Sequence, residues 1–222
     1  MQNSIFKKAI KRREETLTIL KGPKFEQIKQ KAKMNWIEHT PHKKHVTLAG
    51  IDSSFNTTRF QGAEMWAVEA VSTKLDGQII SETDKFGLGY PELDISVIAS
   101  EMEIKVCNES VDEVEMILMD GSLYSHFMKK TINTIQDPIL KIMKEKDNVI
   151  FISKTSDTRA QFKSMDSIAG DIFYYNHATT TPGFSKIFKN TEFGKDGIIS
   201  STYARLNDSL PLIKIEVLGE CS

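Results

Sequence analysis

Two aspartates close hydrophobic runs in this chain: Asp52 in HVTLAGIDSSF, residues 45–55, and Asp120 in VEMILMDGSLYSHF, residues 114–127. A single acid at the end of an apolar strand ordinarily caps a turn, and Asp-Gly is a common turn pair. The repeated arrangement admits other chemistry. Two carboxylates within about 4 Å repel by roughly 4 kcal/mol at an effective dielectric near 20, so such a pair separates, takes up a proton or holds a cation. Hard oxygen ligands select magnesium or manganese. Two such ions about 4 Å apart clamp the attacking and leaving oxygens of a phosphodiester.

That chemistry uses a third or fourth acid. Residues 94–109, DISVIASEMEIKVCNE, read as a helix and offer Glu101, Glu103 and Glu109. Ile95, Ala99, Met102 and Val106 define its buried stripe at helical spacing. Glu103 lies about 40° from Ala99 on the helical wheel, at the margin of the stripe facing the sheet. Glu101 faces solvent and Glu109 lies at the fraying end. Glu103 is therefore the expected third member.

The elements that must position these acids follow from the hydrophobic periodicity. Strands are expected at 45–55, 63–73 and 77–86, with Asp76-Gly77 marking the hairpin between the last two. The helix at 94–109 leads to a strand at 114–121 and a helix from about 122 to 146, which Pro138 should kink or split. NVIFISKTS, residues 148–156, is nearly continuous in hydrophobicity and reads as a central strand. Residues 164–177 are ambiguous, TTTPGFSK (179–186) reads as loop, and strands at 198–206 and 211–218 flank NDSLP as a hairpin. Three antiparallel strands, then helix, strand, helix and strand, is the layout of a ribonuclease H-like α/β mixed sheet. There the first and fourth strands run side by side and parallel, and open α/β sheets bind ligands at the carboxyl ends of such strands. Asp52 and Asp120 occupy those two ends.

Composition sets the wider frame. The chain has 222 residues, 40% of them hydrophobic, which suits one sizeable domain with appendages. No stretch approaches the roughly 18 apolar residues of a membrane span, and the start lacks a secretory core, so a soluble, cytoplasmic protein is expected. Cys107 and Cys221 have no paired spacing and read as reduced bystanders. The net charge of −1 divides unevenly: residues 1–44 hold 12 Lys/Arg against 4 Asp/Glu, leaving the rest at −9. Residues 1–44 are expected as a basic helical arm, broken at Gly22-Pro23, on an acidic body spanning 45–222. Such an arm suits a polyanionic or acidic partner or a solvated surface. The body would need cations to approach DNA.

Other candidates are weaker. His39, His42 and His45 recur at intervals of three, but Pro41 forbids a shared helical face and no further ligand completes a zinc set; a basic linker is the expected reading. His126 is expected as a cap or surface residue near Asp120, and His177 as a loop contact. Residues 173–175, FYY, and the 179–186 loop could stack bases, though core packing is favoured; Arg159 could meet a phosphate. Met34, Trp36 and Ile37 should staple the arm to the body or to a second subunit.

Several of these pieces together resemble the NurA family of nucleases: AGIDSSF, the helix with Glu103, ILMDGSLYSHF, the strand VIFISKTS with its lysine, and YARLNDSLPLIKIEVLGE. The likeness runs from about residue 40 to 218, and MDGSL after a hydrophobic strand is its most specific piece. It implies a ribonuclease H-like nuclease dependent on manganese or magnesium, a 5′→3′ exonuclease on DNA with single-strand endonuclease activity. It also implies a homodimer working on single- and double-stranded DNA beside a HerA-type hexameric helicase in end resection, with single-strand-binding protein as a possible partner. Asp52, Glu103 and Asp120 match the family's metal-binding acids. Lys154 matches a family lysine that would neutralise a phosphate. Family members usually continue into a terminal segment with an active-site histidine, whereas this chain stops at Ser222. A short or atypical member is therefore expected, with His177 the candidate replacement. The alternative expectation is a catalytically weak DNA- or helicase-binding repair subunit with the same fold.

Overall fold

The structure, a computed structural model, describes residues 2–124, 133–190 and 199–219. It divides into two compact units: residues 42–154, 189–201 and 214–222 form one, and residues 1–41, 155–188 and 202–213 the other.

The first of these contains the acids. Strand β2 (Leu48–Phe60) follows a short β1 (Trp36–Glu38) of the other unit and pairs antiparallel with β3 (Ala63–Lys74), which pairs antiparallel with β4 (Ile79–Leu88). The β3–β4 turn closes as its Asp-Gly signature predicts: Gln78 N donates to Asp76 Oδ1 at 3.0 Å and Lys74 N to Gln78 O at 2.9 Å. Helix α3 (Ile95–Ser110) starts at Asp94, whose carboxylate accepts from Ser96 N at 2.8 Å and satisfies an orphan donor of the first turn. Strand β5 (Met116–Asp120) then lies parallel to β2, and β6 (Val149–Ser153) parallel to β5. Helix α4 (Asn133–Glu145) runs through Pro138, which therefore does not split it. The helix is expected from about 122; residues 125–132 lie outside the described residues. Strand β10 (Ile213–Leu218) completes this part of the mixed sheet, antiparallel to β6, giving the order β10-β6-β5-β2-β3-β4.

Alternation decides which face is covered. Successive residues of a strand point to opposite faces, and Ala49, Ile51, Val68, Ala70, Ile117, Met119, Val149 and Phe151 all join one core with Ile98, Met102 and Val106 of α3 and Ile135, Ile139 and Ile142 of α4. The two helices therefore cover one face. Asp52, Leu118, Asp120 and Ile152 belong to the opposite set of alternate positions.

In the other unit, α1 (Gln2–Leu20) and α2 (Pro23–Met34) meet at the Gly22-Pro23 break, with Pro23 at the first helical position, where its missing N–H is harmless. Phe25, Ile28 and Ala32 of α2 pack with Phe162, Tyr174, Tyr175, Tyr203 and Leu212. The ambiguous segment forms a short 3-10 turn (Lys163–Met165) and helix α5 (Asp171–Ala178). The segment read as loop contains β7 (Gly183–Ser185), paired with β1 and with β9 (Ile199–Arg205) after a three-residue β8 (Phe188–Asn190). The arm thus shares an aromatic core with residues far along the chain.

Candidate active site

Asp52 and Asp120 reach the same place by parallel register. Ile51 is aligned with Met119 across β2 and β5, so the next pair along is Asp52 and Asp120, on the face away from the helices. Asp52 is exposed and Asp120 half-buried. Lys154, one residue past β6, donates from Nζ to Asp120 Oδ2 at 2.9 Å. That hydrogen bond, then the charge of Asp120, raises the lysine's pKa above its ordinary value, and the charge of Asp52 adds to the rise. The three side chains line a cleft of about 410 Å³ floored by Gly50, Leu118, Val71, Thr73 and Ile152. Gly50 keeps the floor low beside Asp52: a Cβ there would meet no heavy atom within 4 Å.

Local chemistry fixes each acid differently. Asp52 Oδ1 accepts from the backbone N of Ser53 at 2.8 Å. Asp120 is followed by Gly121 at φ 113°, a left-handed conformation that a side chain would strain. The chain turns there, and Gly121 N donates to Ile152 O at 2.8 Å.

Glu103 faces the sheet, as its helical position predicts, and is 4% exposed. Its Oε1 accepts from Ser53 Oγ at 2.5 Å. Ser53 is the residue after Asp52 and so points to the helix-covered face, which leaves Glu103 on the opposite side of β2 from the aspartate pair. Among the described residues no three His, Cys, Asp or Glu side chains form a group that could hold a metal ion. The donors that fit a hard divalent cation are thus the Asp52–Asp120 pair, where the ammonium of Lys154 now supplies the positive charge. Glu103 connects to it through Ser53. Of the other helix acids, Glu101 is half-buried and Glu109 accepts from Ser81 Oγ.

The remaining candidates have other surroundings. His177 Nδ1 lies 2.9 Å from Phe173 O, and its ring packs on Phe173 and Phe25. Tyr174 and Tyr175 are buried in the aromatic core, as core packing predicts, and Arg159 donates to Ser167 O at 3.2 Å. His39 packs edge-on against Phe184, and Trp36 packs at a tilt against Tyr175. His126 lies outside the described residues.

Residues that the sequence did not single out also border the acids. Ser53 and Ser122 follow them by one and two positions, and Ser122 Oγ donates to Glu216 Oε2 at 2.5 Å. Glu216 and Lys214 form a buried ion pair at 2.6 Å. The sequence signal existed in IKIEVL, but alternation of this kind ordinarily reads as charges outward.

Residues 46–222 match the NurA domain. The crystal structure of the NurA nuclease from Sulfolobus solfataricus superposes with a TM-score of 0.76 at 20% identity, over 100% of this chain and 82% of that one. A structure of NurA with manganese gives 0.67 at 9% identity, over 100% and 88%. One of NurA bound to dAMP and manganese gives 0.59 at 10% identity, over 99% and 87%. No curated protein sequence matches the chain.

Proposed function

The chain belongs to the NurA family, and from that premise we propose that it is a divalent-metal-dependent nuclease that hydrolyses DNA. The carrying observation is the placement of Asp52 and Asp120 side by side at one cleft, with Lys154 bonded to Asp120. Asp52 and Asp120 would hold the cation, manganese or magnesium, while Glu103, across β2 from them, would act on Asp52 only through Ser53. When bound, the cation supplies Lewis acidity at the scissile phosphate. Lys154, a flexible point charge, draws a phosphate oxygen to the strand edge beside the pair. Gly50 leaves room for the backbone of the substrate, and the Ser53 N–H holds one oxygen of the Asp52 carboxylate in place.

The related structures with manganese and with dAMP support both the metal and the nucleotide as ligands of this fold. Exonuclease action in the 5′→3′ direction, single-strand endonuclease action, a role in end resection, homodimerisation, and partnership with a HerA-type helicase and single-strand-binding protein are proposed on family membership. No helix among the described residues is long and apolar enough to cross a membrane.

The test is cleavage of labelled single- and double-stranded DNA. Activity should vanish with a chelator, return with manganese, and be absent in Asp52→Ala; wild-type rates in that variant would end the assignment. A second reading, a DNA- or helicase-binding subunit with weak cleavage, is favoured by one observation: the three acids do not form one cluster among the described residues. It predicts DNA binding that is indifferent to chelator.

A further inference from the structure

Glu216 is 1% exposed, yet it is fully engaged: it accepts from Lys214 Nζ at 2.6 Å, Ser122 Oγ at 2.5 Å and Ser201 Oγ at 3.4 Å. Lys214 is equally buried. Both lie opposite residues of the helix-covered face of β6, Lys214 across from Ser153 and Glu216 across from Phe151. An ion pair removed from water is a poor source of stability, because apolar residues of similar volume often serve as well. Its retention inside a strand end therefore asks what the pair holds in place.

It holds Ser122, two residues after Asp120. The segment Asp120-Gly121-Ser122 is then fastened twice, once by a backbone bond to β6 and once by a side chain of β10. Gly121 N is fixed to Ile152 O, Ser122 Oγ to Glu216, and the left-handed Gly121 joins them. With those two anchors set, the direction in which Asp120 leaves the strand is set too. We infer that Glu216 is a positioning residue for Asp120, acting through Ser122, with Lys214 as its countercharge. The inference rests on the reading of Asp52 and Asp120 as the carboxylates that hold the cation.

The experiment measures manganese binding directly, by the loss of the free-ion paramagnetic resonance signal, alongside thermal unfolding of the full chain. The double variant K214M/E216L replaces the pair with apolar side chains and should unfold close to the wild-type temperature while binding manganese about 10-fold more weakly. S122A should weaken binding in the same direction and S122T, which keeps the hydroxyl, should restore it. These Ser122 variants decide the matter if the double variant does not fold. Wild-type protein that binds no manganese overturns the underlying reading and this inference together. Wild-type protein that binds it, with S122A and K214M/E216L binding equally well, overturns this inference alone.

Discussion

Lys154 Nζ stands 2.9 Å from Asp120 Oδ2, and the two face Asp52 across a shared cleft. Because the hydrogen bond and charge of Asp120 raise the lysine's folded pKa above 10.5, its contribution to stability is complete below that pH and is lost as pH rises through the folded value. The melting-temperature difference between wild type and Lys154→Met should therefore be constant around neutral pH, where the Asp120 carboxylate is ionised, and shrink in strong alkali. A difference that already shrinks near pH 7 would remove the ion pair from the account. The same variant should cleave DNA about 10-fold more slowly, as loss of one positioned phosphate contact implies.

Asp52 is exposed, so Asp52→Asn should leave the melting temperature unchanged. Cleavage in manganese should fall by at least about 100-fold, the scale on which a single group stabilising transition-state charge acts. Steady-state rates on a short labelled oligonucleotide check it.

Ser53 and Glu103 separate structural from chemical effects. Ser53→Ala removes a donor to a buried carboxylate and should destabilise by about 1–3 kcal/mol, read by urea unfolding. Glu103→Gln keeps the acceptor for Ser53 and should unfold near wild type but bind manganese more weakly. Unchanged manganese affinity would show that the link from Glu103 through Ser53 to Asp52 plays no part in holding the cation.

Gly50→Val adds a branched side chain to open space on a strand, which suits the pleat and should change stability by no more than about 1 kcal/mol. It also raises the floor beside Asp52. The expected result is a higher KM for DNA at an unchanged melting temperature.

Burial pushes the Cys107 thiol up to about 12 from 9.0. Its stability contribution is intact below about pH 9 and drains away as pH climbs towards 12. Iodoacetamide at pH 8 should leave Cys107 unlabelled in the native protein and label it in urea.

The aspartate pair was legible in the sequence because it depends only on two strand ends and the parallel adjacency of the first and fourth strands. Glu103 was legible as a sheet-facing acid, since helical periodicity alone gives that. Its side of the sheet was not, because helical phase says nothing about the alternation of β2. Lys214 and Glu216 were not legible: alternating charge and isoleucine carries no sign of burial, which here goes with the mutual neutralisation of the two. The short strands β1, β7 and β8 have three residues each, too few for any periodicity to register.

Strand β2 continues to Phe60, although its pairing with β5 ends at Ile51. From there on it is braced by β3 alone, as the outer strand of a ribbon that β4 continues on the far side of β3, ending in the tight bend at Gly62. Asp52 thus stands where a doubly sutured backbone becomes a singly sutured one. Amide protons up to residue 51 should outlast those beyond it in deuterium oxide, and whatever flexing the free ribbon undergoes is arrested one residue short of the carboxylate's foundation.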